Sequence, residues 1–118
     1  MVYLPYMQHK MKLTKEPFDQ IAAGTKVIES RLYDEKRQKI SIGDEIEFTE
    51  NDNTQRIINT RVIGLIRYQT FSGMFSDHDA SLFGGESTSA LITKIHEFYS
   101  KEDESKYGVL GIRIEHID

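Results

Sequence analysis

Three charged residues that suit ligand recognition lie close together in the run Gly24-Thr25-Lys26-Val27-Ile28-Glu29-Ser30-Arg31. Lys26 offers an ammonium and Arg31 offers a planar fork of N–H donors, and both groups bind phosphate or carbonyl oxygens. Glu29 is acceptor-only when ionised, so it suits an exocyclic amine or the hydroxyls of a ribose. The run therefore predicts a site for a ligand that carries such groups. The alternative is three solvated charges on a half-exposed strand.

A short helix and the strand that follows it would position these charges. The helix is predicted from Pro17, which suits a first turn, to Gly24, which suits a helix end. Its apolar residues at helical spacing are Phe18, Ile21 and Ala22. After Gly24 the pattern has period two, which puts Glu29 and Arg31 on one face of a strand. Lys26 has the opposite parity, so it joins them only if it still belongs to the turn before the strand.

The rest of the chain has the pattern of further strands with inserted helices. Residues 7–13 alternate between apolar and polar, which predicts a first strand with His9 on its apolar face. Gly64 interrupts a long run rich in Ile and Val, which indicates a β-bulge or bend. Further strands are predicted at 45–49, 56–68 and 107–116, a helix at 87–99, an irregular or short helical connection at 71–79, and charged loops at 34–39 and 101–106. This pattern is typical of a small, partly closed barrel of the α+β class.

Aromatic side chains are available to stack on a nucleobase, and such a stack is worth about 1–3 kcal/mol per base. The candidates are Tyr33, Tyr68, Phe71, Phe75, Phe83 and Tyr107. Most of them are predicted to lie in the core. Tyr33 and the 71–75 segment are predicted to be exposed.

Two glycines precede the late helix in the run Gly84-Gly85-Glu86-Ser87. Their amides, at a helix N-terminus, would suit an anion. The run lacks the lysine and the spacing of a phosphate-binding P-loop. A flexible loop that ends in a Ser87 helix cap is the simpler interpretation.

The histidines do not form a metal-binding pattern. His9, His78, His96 and His116 stand at neither helical nor strand spacing from one another, and no paired carboxylates complete a ligand set. His9 is predicted to be a half-buried side chain, and the 77–79 segment is predicted to be a solvated turn. We expect no metal and no other cofactor.

Size and composition narrow the class of protein. The 118 residues suit a single domain spanning 1–118. The formal net charge of −4 argues against binding of duplex DNA through its phosphates, although a local basic groove stays open. The sequence has no cysteine, which excludes disulfides, thiol catalysis and cysteine-held metals. It also lacks a secretory signal and an apolar run of bilayer length, so we expect a cytoplasmic protein without a membrane partner.

The run Gly24-x-Lys26-x-x-Glu29-x-Arg31, the short helix before it and Gly43-Asp44 before a strand together resemble the ASCH domain, a family of the PUA-like superfamily. The resemblance runs from about His9 to the last strand and is to the small stand-alone bacterial members. It implies a PUA-like mixed β-barrel with two or three flanking helices and a cleft at the motif. It also implies a module that binds RNA or a nucleoside-like ligand. The expected ligand-binding residues are His9, Gly24, Thr25, Lys26, Glu29, Arg31 and Tyr33.

Some small bacterial proteins of this fold are amidohydrolases that remove the acetyl group of N4-acetylcytidine, and this gives an alternative function. Lys26 matches their motif lysine, Glu29 stands where they have a threonine, and Glu86 corresponds to their distant glutamate. The catalytic candidates are therefore Lys26, Glu29 and Glu86. In another arrangement, Glu29 or Glu86 activates a water while Lys26 or Arg31 stabilises the oxyanion. The sequence leaves open whether the protein is an enzyme, and it does not predict the oligomeric state.

Overall fold

Five strands form one sheet in the computed structural model, which describes residues 6–117. The strands are β1 (Gln8–Leu13), β2 (Ile28–Leu32), β3 (Glu45–Glu50), β4 (Ile57–Tyr68) and β5 (Val109–His116). Their order across the sheet is β1-β3-β4-β5-β2, with β1 parallel to β3 and all other neighbours antiparallel. The sheet curls into a half-barrel, which confirms the predicted α+β class.

Four α-helices accompany the sheet in the described part of the chain, where the sequence predicts two or three. They are α1 (Lys15–Ala23), α2 (Phe71–Ser76), α3 (Thr88–Ile95) and α4 (Lys101–Tyr107), and short 3-10 turns lie at Arg37–Lys39 and Ala80–Phe83. None of the helices within residues 6–117 has the length and apolarity needed to cross a membrane.

Helix α4 lies where the sequence predicts a charged loop at 101–106. Ser100 caps this helix by accepting a hydrogen bond from the Asp103 N–H at 3.1 Å. The acidic residues of its first turn suit the positive end of the helix dipole. One of them, Glu104, is buried and accepts a hydrogen bond from the Phe71 N–H. The prediction of a loop is wrong because it was based on the many charged residues at 101–106 and not on these capping signals.

The turn after α1 brings Lys26 to the motif. Gly24 ends the helix with a φ of 79°, a left-handed conformation that glycine adopts readily. The N–H groups of Thr25 and Lys26 both donate to the Gln20 carbonyl, at 3.0 and 3.1 Å. Lys26 therefore belongs to the turn before β2, and the parity of the strand does not point it away from Glu29.

The sheet curls so far that its two edge strands meet at the motif. The pairing of β4 with β5 shifts register between Val62 and Gly64, which confirms the predicted irregularity, and a bulge there bends the strand. Arg31 Nη2, on edge strand β2, donates to the Lys12 carbonyl on edge strand β1 at 3.0 Å. The charged motif consequently lies where the two edge strands of the half-barrel come together.

Two apolar clusters form the core within residues 6–117. One packs α1 against the sheet around Ile21 and Phe48, and the other lies beneath α2. Phe71 and Phe75 belong to the second cluster and are buried, so the prediction that the 71–75 segment is exposed is wrong. The segment forms α2, and the helical spacing of Phe71, Met74 and Phe75 places all three in the core.

Candidate functional site

The three charged residues of the motif form one ion-pair cluster. Lys26 Nζ lies 2.9 Å from Glu29 Oε1, and Arg31 Nε donates to Glu29 Oε2 at 2.7 Å. The side chains are nearly enclosed, with exposed fractions of 11% for Lys26, 5% for Glu29 and 12% for Arg31. The carboxylate uses both oxygens to hold two cations, so the cluster carries one net positive charge.

Glu29 stays ionised although it is buried. Burial alone would raise the pKa of its carboxyl, but the charges of Lys26 and Arg31 outweigh burial and lower that pKa from 4.5 to about 2. Burial would also lower the pKa of Arg31, but Glu29 and Tyr99 raise it above its ordinary value. Lys26 and Arg31 thus present N–H donors on either side of one ionised carboxylate.

The cluster borders a cleft of about 430 Å³, a volume typical of small-molecule sites. The end of β1, helix α1, the motif, the 83–86 turn, and α3 with the turn after it line this cleft. The other charged lining residues are Lys12, Glu16, Glu86 and Lys94. From α3 and its following turn come the apolar and aromatic lining residues Leu91, Ile95, Phe98 and Tyr99. The cleft thus offers both charged and apolar surfaces to one ligand.

Four of the predicted site residues line the cleft together. They are Lys26, Glu29, Arg31 and Glu86. Glu86 lies on an exposed turn just before α3, whereas the other three are nearly enclosed. The three catalytic candidates therefore share one cleft.

Gly24 and Thr25 shape the site from outside the cleft lining. Gly24 ends α1, and Thr25 Oγ1 donates to the Gln20 carbonyl at 3.1 Å. Both residues belong to the turn that precedes Lys26, and neither of them borders the cleft.

His9 and Tyr33 lie away from the cleft. His9 is near the start of β1, with Nε2 2.8 Å from Asp44 Oδ2, whereas the cleft borders the other end of that strand. Tyr33 follows β2, and the Arg67 guanidinium lies 3.9 Å above its ring, beside a different surface cavity. Neither residue borders this cleft, because His9 lies at the opposite end of β1 and Tyr33 lies beyond the end of β2.

The Gly84-Gly85 segment does not offer free amides to an anion. The N–H groups of Gly84 and Gly85 already donate to carbonyls of the preceding 3-10 turn, at 3.0 and 3.1 Å. Ser87 Oγ accepts a hydrogen bond from the Ala90 N–H at 3.1 Å, which confirms the predicted helix cap. The predicted cap is therefore present, and the amides of the two glycines are used within the fold.

Sequence reasoning missed Phe98, Tyr99 and Lys94 as site residues. A helix over 87–99 would bury both aromatics in one apolar stripe, but α3 ends at Ile95 and the aromatics lie on the turn after it. Tyr99 stacks on Phe71 with ring centroids 5.8 Å apart, whereas Phe98 is exposed. The helical pattern did not separate the two rings, because residues seven and eight positions after Leu91 both border the same wide apolar stripe.

The described residues contain no group of three or more His, Cys, Asp or Glu side chains arranged to hold a metal ion. At the ion-pair cluster, the cleft is bordered by the N–H donors of Lys26 and Arg31 and by a carboxylate already paired with them. Such donors suit a ligand with oxygen acceptors.

Comparison with known proteins identifies the family. The model of the ASCH domain matches residues 11–118, which is most of the chain. The chain belongs to the ASCH domain family. No curated protein matches it significantly.

Solved structures show the same fold as this ASCH domain. Hypothetical protein PH0355 superposes with a TM-score of 0.83 at 36% identity, over 94% of this chain and 100% of that one. Protein PF0455 from Pyrococcus furiosus superposes with a TM-score of 0.73 at 32% identity, over 95% of this chain and 99% of that one. The ASCH domain from Lactobacillus crispatus is 16% identical, with a TM-score of 0.63 over 94% of this chain and 79% of that one, and shares the fold.

Proposed function

We propose that this ASCH domain binds a nucleotide unit, as a free nucleoside-like ligand or as part of an RNA, in the cleft beside Lys26, Glu29 and Arg31. The observation that carries the proposal is the ion-pair cluster, in which one buried carboxylate holds two cations at 2.9 and 2.7 Å beside a ligand-sized cleft. Its net positive charge suits a phosphate or a carbonyl oxygen.

Both cations keep donors for a ligand. The Lys26 ammonium has three N–H groups and directs one of them to Glu29. Arg31 uses Nε for Glu29 and one N–H of Nη2 for the Lys12 carbonyl, so N–H groups remain on its terminal nitrogens. Glu29 then holds the two donors in place, which differs from the expected role of reading an amine or a ribose.

The size of the cleft and the charge of the chain favour one nucleotide unit over a duplex. A volume of about 430 Å³ suits a single small molecule. A duplex would need an extended basic surface, and the net charge is −4. Lys12 and Lys94 also line the cleft and would meet the neighbouring phosphates of a short single strand.

Calorimetric titration with cytidine, cytidine monophosphate and a short single-stranded RNA tests the proposal. We expect binding by the parent protein and a loss of about 10- to 100-fold in Lys26→Ala, because hydrogen bonds from a charged donor are strong. Lys39→Ala removes an exposed lysine outside the cleft and serves as the matched control. Failure of all three ligands to bind the parent protein would contradict the proposal.

Salt dependence separates the two forms of ligand. RNA held through several phosphates weakens steeply as salt rises, because its binding releases counterions. A nucleoside carries no phosphate, so its affinity changes little. A flat response for the RNA would assign the cleft to a free nucleoside-like ligand.

Hydrolysis of an N4-acylated cytidine is a second candidate, favoured by the placement of Lys26 and Glu86 in one cleft. Lys26 Nζ is already paired with Glu29 Oε1 at 2.9 Å. In this function Lys26 would stabilise the oxyanion and Glu86 would activate the water.

The assay for this function is incubation with N4-acetylcytidine followed by chromatography for cytidine. Glu86→Gln is expected to lose activity. Glu97→Gln, which changes an exposed residue outside the cleft, is the control and is expected to retain activity. No release of cytidine by the parent protein would contradict this candidate.

A further inference from the structure

Phe98 differs from every other phenylalanine of the chain. The other five are at most 2% exposed, whereas Phe98 is 56% exposed. Single apolar side chains are common on protein surfaces. Phe98, however, lies at the rim of the cleft that holds the ion-pair cluster.

Main-chain hydrogen bonds position the backbone of Phe98 in the turn after α3. The N–H groups of Phe98 and Tyr99 both donate to the Ile95 carbonyl, at 3.1 and 3.0 Å. The Tyr99 ring stacks on Phe71, with centroids 5.8 Å apart and planes 17° apart. Because Tyr99 is anchored on the core, its neighbour Phe98 is left at the cleft with its ring accessible.

The cleft therefore combines an accessible aromatic ring with a cationic cluster. Unpaired nucleobases are recognised by this combination, with an aromatic side chain against the face of the base and polar groups at its edges or on its phosphate. Leu91 and Ile95 add an apolar surface to the same lining. A sugar phosphate or an aliphatic amide would use the cations but would leave Phe98 and this apolar surface without a partner.

We propose that Phe98 is the stacking surface for a planar heteroaromatic ring, so the ligand of the cleft is a molecule that carries a base. The inference rests on the proposed function and narrows it, since it assigns the face of the base to Phe98 and its polar groups to Lys26 and Arg31.

A tryptophan substitution tests the stack directly. The chain contains no tryptophan, so Phe98→Trp places a single fluorescent reporter at the proposed position. Cytidine monophosphate is expected to quench this fluorescence with the affinity that calorimetry gives for the same variant. Ribose 5-phosphate, which has no base, is expected to leave the fluorescence unchanged. Calorimetric binding of cytidine monophosphate without any change in fluorescence would overturn the proposal.

The affinities of two further variants distinguish aromatic stacking on a base from a nonspecific apolar contact with it. Phe98→Ala and Phe98→Leu are both expected to weaken binding of cytidine monophosphate about 5- to 150-fold, because leucine keeps apolar bulk but has no aromatic face. Ile42→Ala, at an exposed apolar residue outside the cleft, is the control and should bind like the parent protein. Parent-like binding by Phe98→Leu or Phe98→Ala would overturn the role of Phe98. In that case a loss of affinity for cytidine monophosphate in Lys26→Ala would still support the proposed function. If the parent protein binds no ligand, both proposals fail.

Discussion

Arg31, on one edge strand of the sheet, donates a hydrogen bond to the main-chain carbonyl of Lys12, on the other edge strand, at 3.0 Å. The same guanidinium holds Glu29 through its Nε at 2.7 Å. One side chain therefore joins the edges of the half-barrel and anchors the carboxylate that positions Lys26. Because fold and site share this group, changes in the cluster should alter stability as well as binding.

Glu29→Gln is expected to destabilise the protein by roughly 3–5 kcal/mol, because it leaves two nearly enclosed cations without their shared carboxylate. The free energy of unfolding in urea is the measurement. Glu47→Gln is the control, since Glu47 is partly exposed and lies 3.9 Å from the exposed Lys10, so about 0–1 kcal/mol is expected there. Equal losses in the two variants would contradict a structural role for the buried carboxylate.

The ionisation of Glu29 predicts part of the acid sensitivity. Its pKa is about 2 in the folded protein against an ordinary value of 4.5, so the unfolded state binds the proton more tightly. The stability that Glu29 contributes is present above about pH 4.5 and is lost as the pH falls towards 2, a difference of roughly 3 kcal/mol. Unfolding free energies measured across this pH range should therefore fall less steeply in Glu29→Gln than in the parent protein. Parallel curves would contradict the lowered pKa.

Local patterns were enough to predict the elements that carry the cluster. Gly24 marked a helix end, and the period-two run after it put Glu29 and Arg31 on one face of a strand. The condition that Lys26 lie in the turn also followed from parity alone. These features depend on residues near one another in sequence, and the chain folds there as its local pattern dictates.

Other features of the site depend on tertiary packing, which the local pattern does not contain. Neither glycine nor proline marks the end of α3 at Ile95, so the stripe through Phe98 and Tyr99 resembled a longer helix. Which of the two rings packs against the core depends on contact with Phe71, far away in the sequence. Alternation likewise placed His9 on the correct face of β1 but gave no information on the distance between its end of the strand and the cleft.

Asp44→Asn is expected to cost stability without changing ligand affinity. The buried Asp44 carboxylate accepts hydrogen bonds from the Met7 and Ser41 N–H groups at 2.9 and 3.0 Å and pairs with His9 at 2.8 Å. Replacing one acceptor oxygen by an amide NH2 makes two N–H donors face each other. This is expected to lower the free energy of unfolding by about 1–3 kcal/mol. Urea denaturation gives the loss, and calorimetry with cytidine monophosphate gives the affinity. A weaker affinity in folded Asp44→Asn would place His9 in the binding site and contradict its assignment to the fold.

Gly84 and Gly24 form a matched pair for testing whether the position of Lys26 controls binding. Both have left-handed backbones, with φ of 83° and 79°. A Cβ on Gly84 would lie 2.4 Å from Gln20 Oε1 and 3.1 Å from Lys26 Cδ, whereas a Cβ on Gly24 would meet nothing within 4 Å.

Gly24→Ala is expected to add only backbone strain, about 1–2 kcal/mol, and to leave the affinity for cytidine monophosphate unchanged. Gly84→Ala is expected to be less stable than Gly24→Ala and to bind more weakly, because the new methyl group must displace Gln20 and Lys26. Urea denaturation and calorimetry on both variants separate the two effects. Equal affinities would contradict the expectation that displacement of the Lys26 side chain weakens binding.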